Sequence, residues 1–295
     1  FGINRDILGV LKSIYASGGE LGGVPRTEPI PQLPKLPDDR PAEELKEHKR
    51  KMVAIYKQEE ARKTKALRCH IALKTAERFA EYERIYFPWN IDYRGRCYPI
   101  PTAINPQGDD IQKALLLFAD PSPLAAEEDK KWLAIHGANL AGRDKLPFDE
   151  RVKWIEDNKD NILASAADPL GFTWWSDVAK NDYPMEFLAF CLEWSKLLNY
   201  KAQHGTAVGF VSSLPVAFDG TCSGLQHFSA LLRDEIGGHA VNLTDTAEVQ
   251  DIYTIVAEKV NTHLLKDAAG GTGDEPRLDK TGTPAHYGDG TPRLK

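Results

Sequence analysis

Residues 42–82 contain neither glycine nor proline, and helix formers dominate them. A stretch with nothing to break the i→i+4 hydrogen-bond ladder extends as one long helix, or as two in line. Just before it, residues 17–41 hold Gly18-Gly19, Gly22-Gly23 and six prolines from Pro25 to Pro41. That composition reads as an extended connector. The long segment is also basic. Between Lys46 and Arg78 there are eleven lysines and arginines against four acids, Glu47, Glu59, Glu60 and Glu77. Lys63, His70 and Lys74 share one helix face, and Leu67, Ile71, Ala76 and Phe79 are expected on another. A basic stripe on a chain whose net charge is −6 fits a phosphate partner, and it equally fits a solvated helix face.

The rest of the chain is expected to be α+β and mostly helical. A short helix fits residues 1–16. Helical patterns recur at about 126–141, 149–166, 186–198, 223–232 and 246–265, and Leu214, Val216 and Phe218 alternate as a strand over 213–218. At 295 residues with 42% apolar content, the chain has material for a sizeable core. No apolar run approaches the roughly 18 residues of a membrane span. The four cysteines, Cys69, Cys97, Cys191 and Cys222, form no C-x-x-C pair and imply reduced thiols rather than a zinc knuckle or disulfide framework. The chain opens on Phe1 and closes in a Gly-, Pro- and Asp-rich stretch, so both ends read as cuts through a longer protein.

Four stretches carry candidate chemistry. In Leu214–His227 an apolar strand ends in Asp219, followed by Gly220 and then a helix with Ser223 as its expected N-cap. One carboxylate and the adjacent carbonyl would supply half of a two-metal phosphoryl-transfer site, since Mg²⁺ takes few protein oxygens. An aspartate that merely caps the helix has the same local pattern. In Tyr86–Tyr98 two arginines, Arg94 and Arg96, bracket Gly95 amid aromatics. Guanidinium forks suit phosphates and aromatic faces stack on bases; alternatively Asp92 pairs an arginine in a structural turn. Asp109 and Asp110 read as acids favoured at a helix N-terminus rather than as a metal pair. Lys145, in Gly142–Pro147, reads by itself as a solvated lysine.

Taken in order, these elements resemble those of the single-subunit RNA polymerases of T-odd phages and, more distantly, of mitochondria. Phe87–Arg96 resembles the family's D-x-x-G-R element and Asn105–Asp110 its N-P-Q-G-[ND]-D element. His136–Asn139, Phe218–Ala230, Arg233–Glu235 and Val249–Tyr253 also match phage members. The likeness runs from about Ile3 to Ala268, weakest through 17–45 and 176–212, where residues 177–211 read as a longer connection.

The resemblance implies a right-hand fold: a thumb-like helical region with its connector at 1–85, a palm with short antiparallel strands at 86–247, and the start of the fingers at 248–295. The basic helix would then lie along the template–transcript hybrid. Asp219 resembles the first catalytic aspartate, holding Mg²⁺ with the Gly220 carbonyl. Arg94, Arg96, Tyr98 and Ser223 resemble template or hybrid contacts, and Lys145, Gly224 and Tyr253 resemble residues that meet the incoming nucleotide. In related DNA polymerases a glutamate at the position of Gly224 crowds the ribose 2′-hydroxyl; glycine leaves room for it. The implied reaction is attack of a transcript 3′-oxygen on the α-phosphorus of a ribonucleoside triphosphate, with pyrophosphate leaving. The implied partners are a DNA template and promoter, the RNA transcript and ribonucleoside triphosphates, for a monomer in the cytoplasm of an infected bacterium. A second catalytic aspartate and the fingers lysine and tyrosine would follow Lys295, so this stretch alone is expected to be inactive. The alternatives are a template-dependent DNA polymerase of the same fold and a non-catalytic nucleic-acid-binding remnant.

Overall fold

In the computed structural model, β1 (Gly2–Ile3) is followed by α1 (Arg5–Ala16), and residues 42–79 form one unbroken helix, α2 (Ala42–Phe79), of 38 residues. At 1.5 Å per residue α2 is about 57 Å long. Described are residues 1–37, 40–179, 183–217, 220–244 and 249–269, without the side chains of the last three. Asn4 caps α1 by accepting from the Ile7 amide at 3.2 Å, which is why the helix begins at Arg5 and not at the terminus.

Only the last third of α2 meets the core, through Cys69, Ala72, Leu73 and Ala76. Those positions are spaced i, i+3, i+4, i+7, one helix face. Leu67 and Ile71, expected on a common apolar face with Ala76, instead stand 61% and 41% exposed. The bases of the stripe point outward, except Arg62. Arg62 turns in to make two 2.8 Å bonds to Glu59 and also donates to the carbonyls of Arg26 and Thr27. Glu59 in turn accepts from the Ile30 amide at 3.0 Å. The Pro/Gly-rich connector is therefore pinned along α2 by one buried ion pair.

The chain continues through the hairpin β2 (Trp89–Ile91) and β3 (Cys97–Pro99), then α3 (Asp110–Ala114), β4 (Leu116–Leu117) and β5 (Ser122–Pro123). A 3-10 turn at Glu127–Asp129 leads into α4 (Lys130–Leu140). Next come α5 (Phe148–Asp157), α6 (Lys159–Ala167), α7 (Trp174–Val178), α8 (Pro184–His204) and β6 (Val211–Ser212). Three antiparallel pairs, β1–β4, β2–β3 and β5–β6, accompany these helices. The helix expected over 149–166 is two, because Asn158 leaves the helical conformation and its side chain donates to the Trp154 carbonyl at 2.8 Å.

The centre of this unit is α8, whose Met185, Phe187, Leu188, Phe190, Cys191, Trp194 and Leu197 are all buried. It lies within residues 177–211, expected as a longer connection, and brings that stretch into the core through one helix. Phe187, Phe190 and Trp194 form a run of ring contacts at 5.8 and 5.7 Å. Gly137 of α4 makes this packing possible, because a Cβ there would lie 2.3 Å from the Phe190 ring.

Over 213–217, the described part of the strand expected at 213–218, the chain is not a regular strand; Phe218 lies outside the described residues. Pairing ends at Ser212, with one further bond from the Phe118 amide to the Ser213 carbonyl at 2.8 Å. Pro215 has no N–H to continue a ladder, although Leu214 still turns into the core.

The chain divides into two compact units, Phe1–Ala217 and Phe218–Lys295. The second holds α9 (Ser223–Leu232), α10 (Glu235–Ala240) and α11 (Ile252–Ala269). Asp251 starts α11 by accepting from the amides of Tyr253 and Thr254, so the helix begins at Ile252; its expected start, about Thr246, lies outside the described residues. No helix among the described residues is long and apolar enough to cross a membrane.

Candidate nucleic-acid and nucleotide site

Arg94, Arg96 and Tyr98 sit together on the β2–β3 hairpin, in the register Trp89↔Pro99, Asn90↔Tyr98, Ile91↔Cys97. Asp92 builds the turn. Its Oδ1 accepts from the amides of Arg94 and Arg96, each at 2.9 Å, and its Oδ2 accepts from Arg94 Nε at 3.2 Å. The Arg96 amide above all, with the Arg94 contacts, holds the Asp92 carboxyl below its usual range. Gly95, at φ +77°, supplies the left-handed residue the turn requires. The structural reading of Asp92 is therefore correct, and it leaves both arginines exposed beside Tyr86, Trp89, Tyr93 and Tyr98. A rigid hairpin tip presenting guanidinium groups and aromatic faces has the means to grip a phosphate backbone and stack on bases.

The Asn105–Asp110 segment supports this hairpin and does no evident chemistry of its own. Gln107 Nε2 donates to the Cys97 carbonyl at 3.1 Å. Asp109 caps α3 through the Gln112 amide. Asp110 reaches across to the start of α8 and accepts from the amides of Met185 and Glu186 at 2.9 and 2.8 Å. Burial pushes the Asp110 carboxyl up to about 7 against the pull of those amides. Both acids thus serve helix N-termini, as their spacing indicates.

Lys145 stands at the tip of a loop, its side chain 92% exposed and 3.2 Å from Asp144. Sequence reasoning passed over the residue that fixes this loop. Arg151, buried in α5, donates to the carbonyls of Leu146 (2.7 Å) and Asp144 (2.6 Å) and to Asn139 Oδ1 (2.8 Å). Among the described residues, no hydrogen bond or ion pair joins Lys145 to the hairpin.

A cavity of about 410 Å³ opens beside Leu214–Ala217, lined in part by Phe118, Lys113, Glu186 and His136. Burial, with Lys113 nearby, pushes the His136 imidazole down to about 4. Its Nδ1 faces the Ala217 amide at 3.5 Å. A neutral ring thus sits against the segment that leads to Asp219.

Asp219 itself lies outside the described residues. Beyond it, Gly220 precedes Cys222, which adopts a left-handed conformation (φ 52°, ψ 69°) and occupies the N-cap position of α9. Ser223, expected as the N-cap, is instead the first helical residue. Ser223 and Gly224 are both exposed, and a Cβ added at Gly224 would meet nothing within 4 Å. Glycine is thus not demanded there by packing within its unit. Tyr253, in the first turn of α11, is 69% exposed. Among the described residues no group of three or more His, Cys, Asp or Glu gathers to hold a metal. A carboxylate and a backbone carbonyl, as the sequence offers at Asp219 and Gly220, would be oxygen donors of the kind magnesium accepts, with only one carboxylate between them.

A family model described as DNA-dependent RNA polymerase matches residues 124–281, more than half of the chain. The chain belongs to this family. It is 46% identical over 276 residues to the DNA-directed RNA polymerase of Enterobacteria phage T3, a match covering 92% of the chain and 30% of the relative. The T7 RNA polymerase of Escherichia phage T7 is 45% identical over 277 residues, covering 92% of the chain and 30% of that protein. A mitochondrial DNA-directed RNA polymerase of Nicotiana tabacum is 34% identical over 281 residues, covering 94% and 27%. The chain therefore spans about 30% of the length of the phage relatives it matches.

Proposed function

We propose that this chain is part of a longer phage-type polypeptide that synthesises RNA on a DNA template. The match to phage polymerases at 46% identity across 92% of the chain is the observation that carries this reading. Residues 1–85 would serve as thumb, 86–247 as palm and 248–295 as the start of the fingers. Asp219 and the Gly220 carbonyl would hold magnesium together with a second carboxylate from elsewhere in the longer polypeptide. When bound, the metal would neutralise charge on the phosphates and align them. Arg94, Arg96, Tyr98 and Ser223 would contact template or hybrid, and Lys145 and Tyr253 would contact the incoming nucleotide. The open space at Gly224 leaves room for a ribonucleotide, since no side chain there would crowd a 2′-hydroxyl. The partners on this reading are promoter and template DNA, transcript and ribonucleoside triphosphates, met by a monomer in the cytoplasm of an infected bacterium.

Primed-template extension by the complete polypeptide, with ribo- and deoxyribonucleotides in parallel, tests the proposal. It predicts incorporation of ribonucleotides in preference to deoxyribonucleotides. The 295-residue chain by itself should add no nucleotide. A preference for deoxyribonucleotides would convert the assignment to a DNA polymerase. Tight template binding with no extension by the complete polypeptide would convert it to a nucleic-acid-binding remnant.

A further inference from the structure

We infer that Asn242 is a positioning residue that ties Thr221, two residues past Asp219, to Gln250, two residues before α11. The inference rests on the reading of Asp219 and Tyr253 given above. Asn242 Nδ2 donates to Thr221 Oγ1 at 3.0 Å and to the Gln250 carbonyl at 2.8 Å, while its Oδ1 accepts from the Gln250 amide at 2.7 Å. One amide side chain thus grips both polar groups of a single peptide residue and a hydroxyl two residues past Asp219.

Each end of this bridge leads directly to a site residue. Gln250 precedes Asp251, whose carboxylate caps α11 and sets where Tyr253 falls in its first turn. Thr221 lies between Gly220 and the left-handed Cys222. A parallel brace comes from Gln226 in α9, which donates to the Val241 carbonyl at 2.8 Å. Residues 241–242 are thereby fixed to α9 on one side and to the start of α11 on the other.

Asn242 also adopts φ +55°. Asparagine tolerates the left-handed region better than other side-chain-bearing residues, and its planar amide offers two donors and an acceptor. Glycine would keep the backbone and lose the bridge. Aspartate would keep one acceptor and lose both donors. The position therefore needs both properties of asparagine at once. If the bridge is lost, the distance between the metal-holding turn and the nucleotide-facing tyrosine is no longer fixed, and nucleotide binding suffers before chemistry does.

Two measurements on Asn242→Gly test this. Hydrogen exchange on the 295-residue chain should show residues 220–226 and 249–256 losing protection together, by about tenfold, as one local unit opens. In the complete polypeptide, KM for the ribonucleoside triphosphate should rise by about tenfold with kcat within about threefold, which a general loss of folded enzyme would not produce. Asn242→Asp should fall between the two. Thr221→Val should raise KM in the native background and add little to Asn242→Gly, because coupled groups are not additive.

Unchanged protection in both segments, or an unchanged KM, overturns the inference. If the complete polypeptide with native Asn242 makes no RNA, the functional reading fails and the exchange result alone decides the role of Asn242. If Asn242→Gly does not fold, Thr221→Val, which breaks only the 3.0 Å bond, decides. Unchanged exchange at 220–226 together with an unchanged KM in that variant would sink the proposal.

Discussion

The carbonyls of Asp144 and Leu146 and the side-chain oxygen of Asn139 all accept from the Arg151 guanidinium. Replacing it by alanine removes three charge-assisted bonds to partly exposed acceptors and the packing of a buried side chain. Arg151→Ala should cost about 2–4 kcal/mol in urea unfolding, from the lost bonds and packing. It should also raise proteolytic cleavage near Lys145 more than elsewhere. His136 gives a pH-dependent counterpart. Its folded value of about 4 lies below the ordinary 6.5, so between those values the unfolded chain binds the extra proton. Stability from this group is full above 6.5 and is lost as pH falls towards 4. Between pH 7 and pH 5 the native protein should lose about 1–2 kcal/mol more than His136→Gln. Asp110 and Glu186, both raised by burial, act in the opposite direction in both proteins and cancel in the comparison. Of these residues the sequence marked only the motif members. Arg151 and Asn242 were not legible, because their importance comes from acceptors that only the fold brings to them.

At the scale of elements, α2 was readable because nothing in residues 42–82 can interrupt a helix. Its buried face was not readable, since leucine and isoleucine carry no mark of which side a partner will occupy. Cys69 and the small Ala72 and Ala76 go inward where the helix meets the core, and Leu67 and Ile71 go out. The strand expected at 213–218 failed in its described part on Pro215, and the 149–166 helix failed on Asn158, each a single residue acting on the local backbone. The outward bases make a measurable claim. Lys49, Arg50 and Lys57 are exposed and have no ion pair with a described residue. Replacing all three by serine should weaken template binding by the complete polypeptide and flatten the slope of log K against log salt by about 2–3, near one unit per phosphate contact. An unchanged slope would assign the stripe to solvent.

For the whole molecule, the family was legible from motif order, because several short elements in one sequence and spacing are far more specific than any single one. The division at Ala217 was not legible, because it depends on the contacts the described elements make rather than on local propensity. The large role of α8 was also hidden, in one of the two segments least like the phage pattern. Most depends on Asp219, which belongs to the second unit and stands two residues before Thr221, the partner of Asn242. The most direct measurement is single-nucleotide addition by Asp219→Ala in the complete polypeptide, with template affinity measured on the same preparation. The expected result is a loss of about 10³-fold in addition, the scale of removing a key electrostatic group, with affinity for template unchanged. Addition at the native rate would show that the carboxylate only caps a helix.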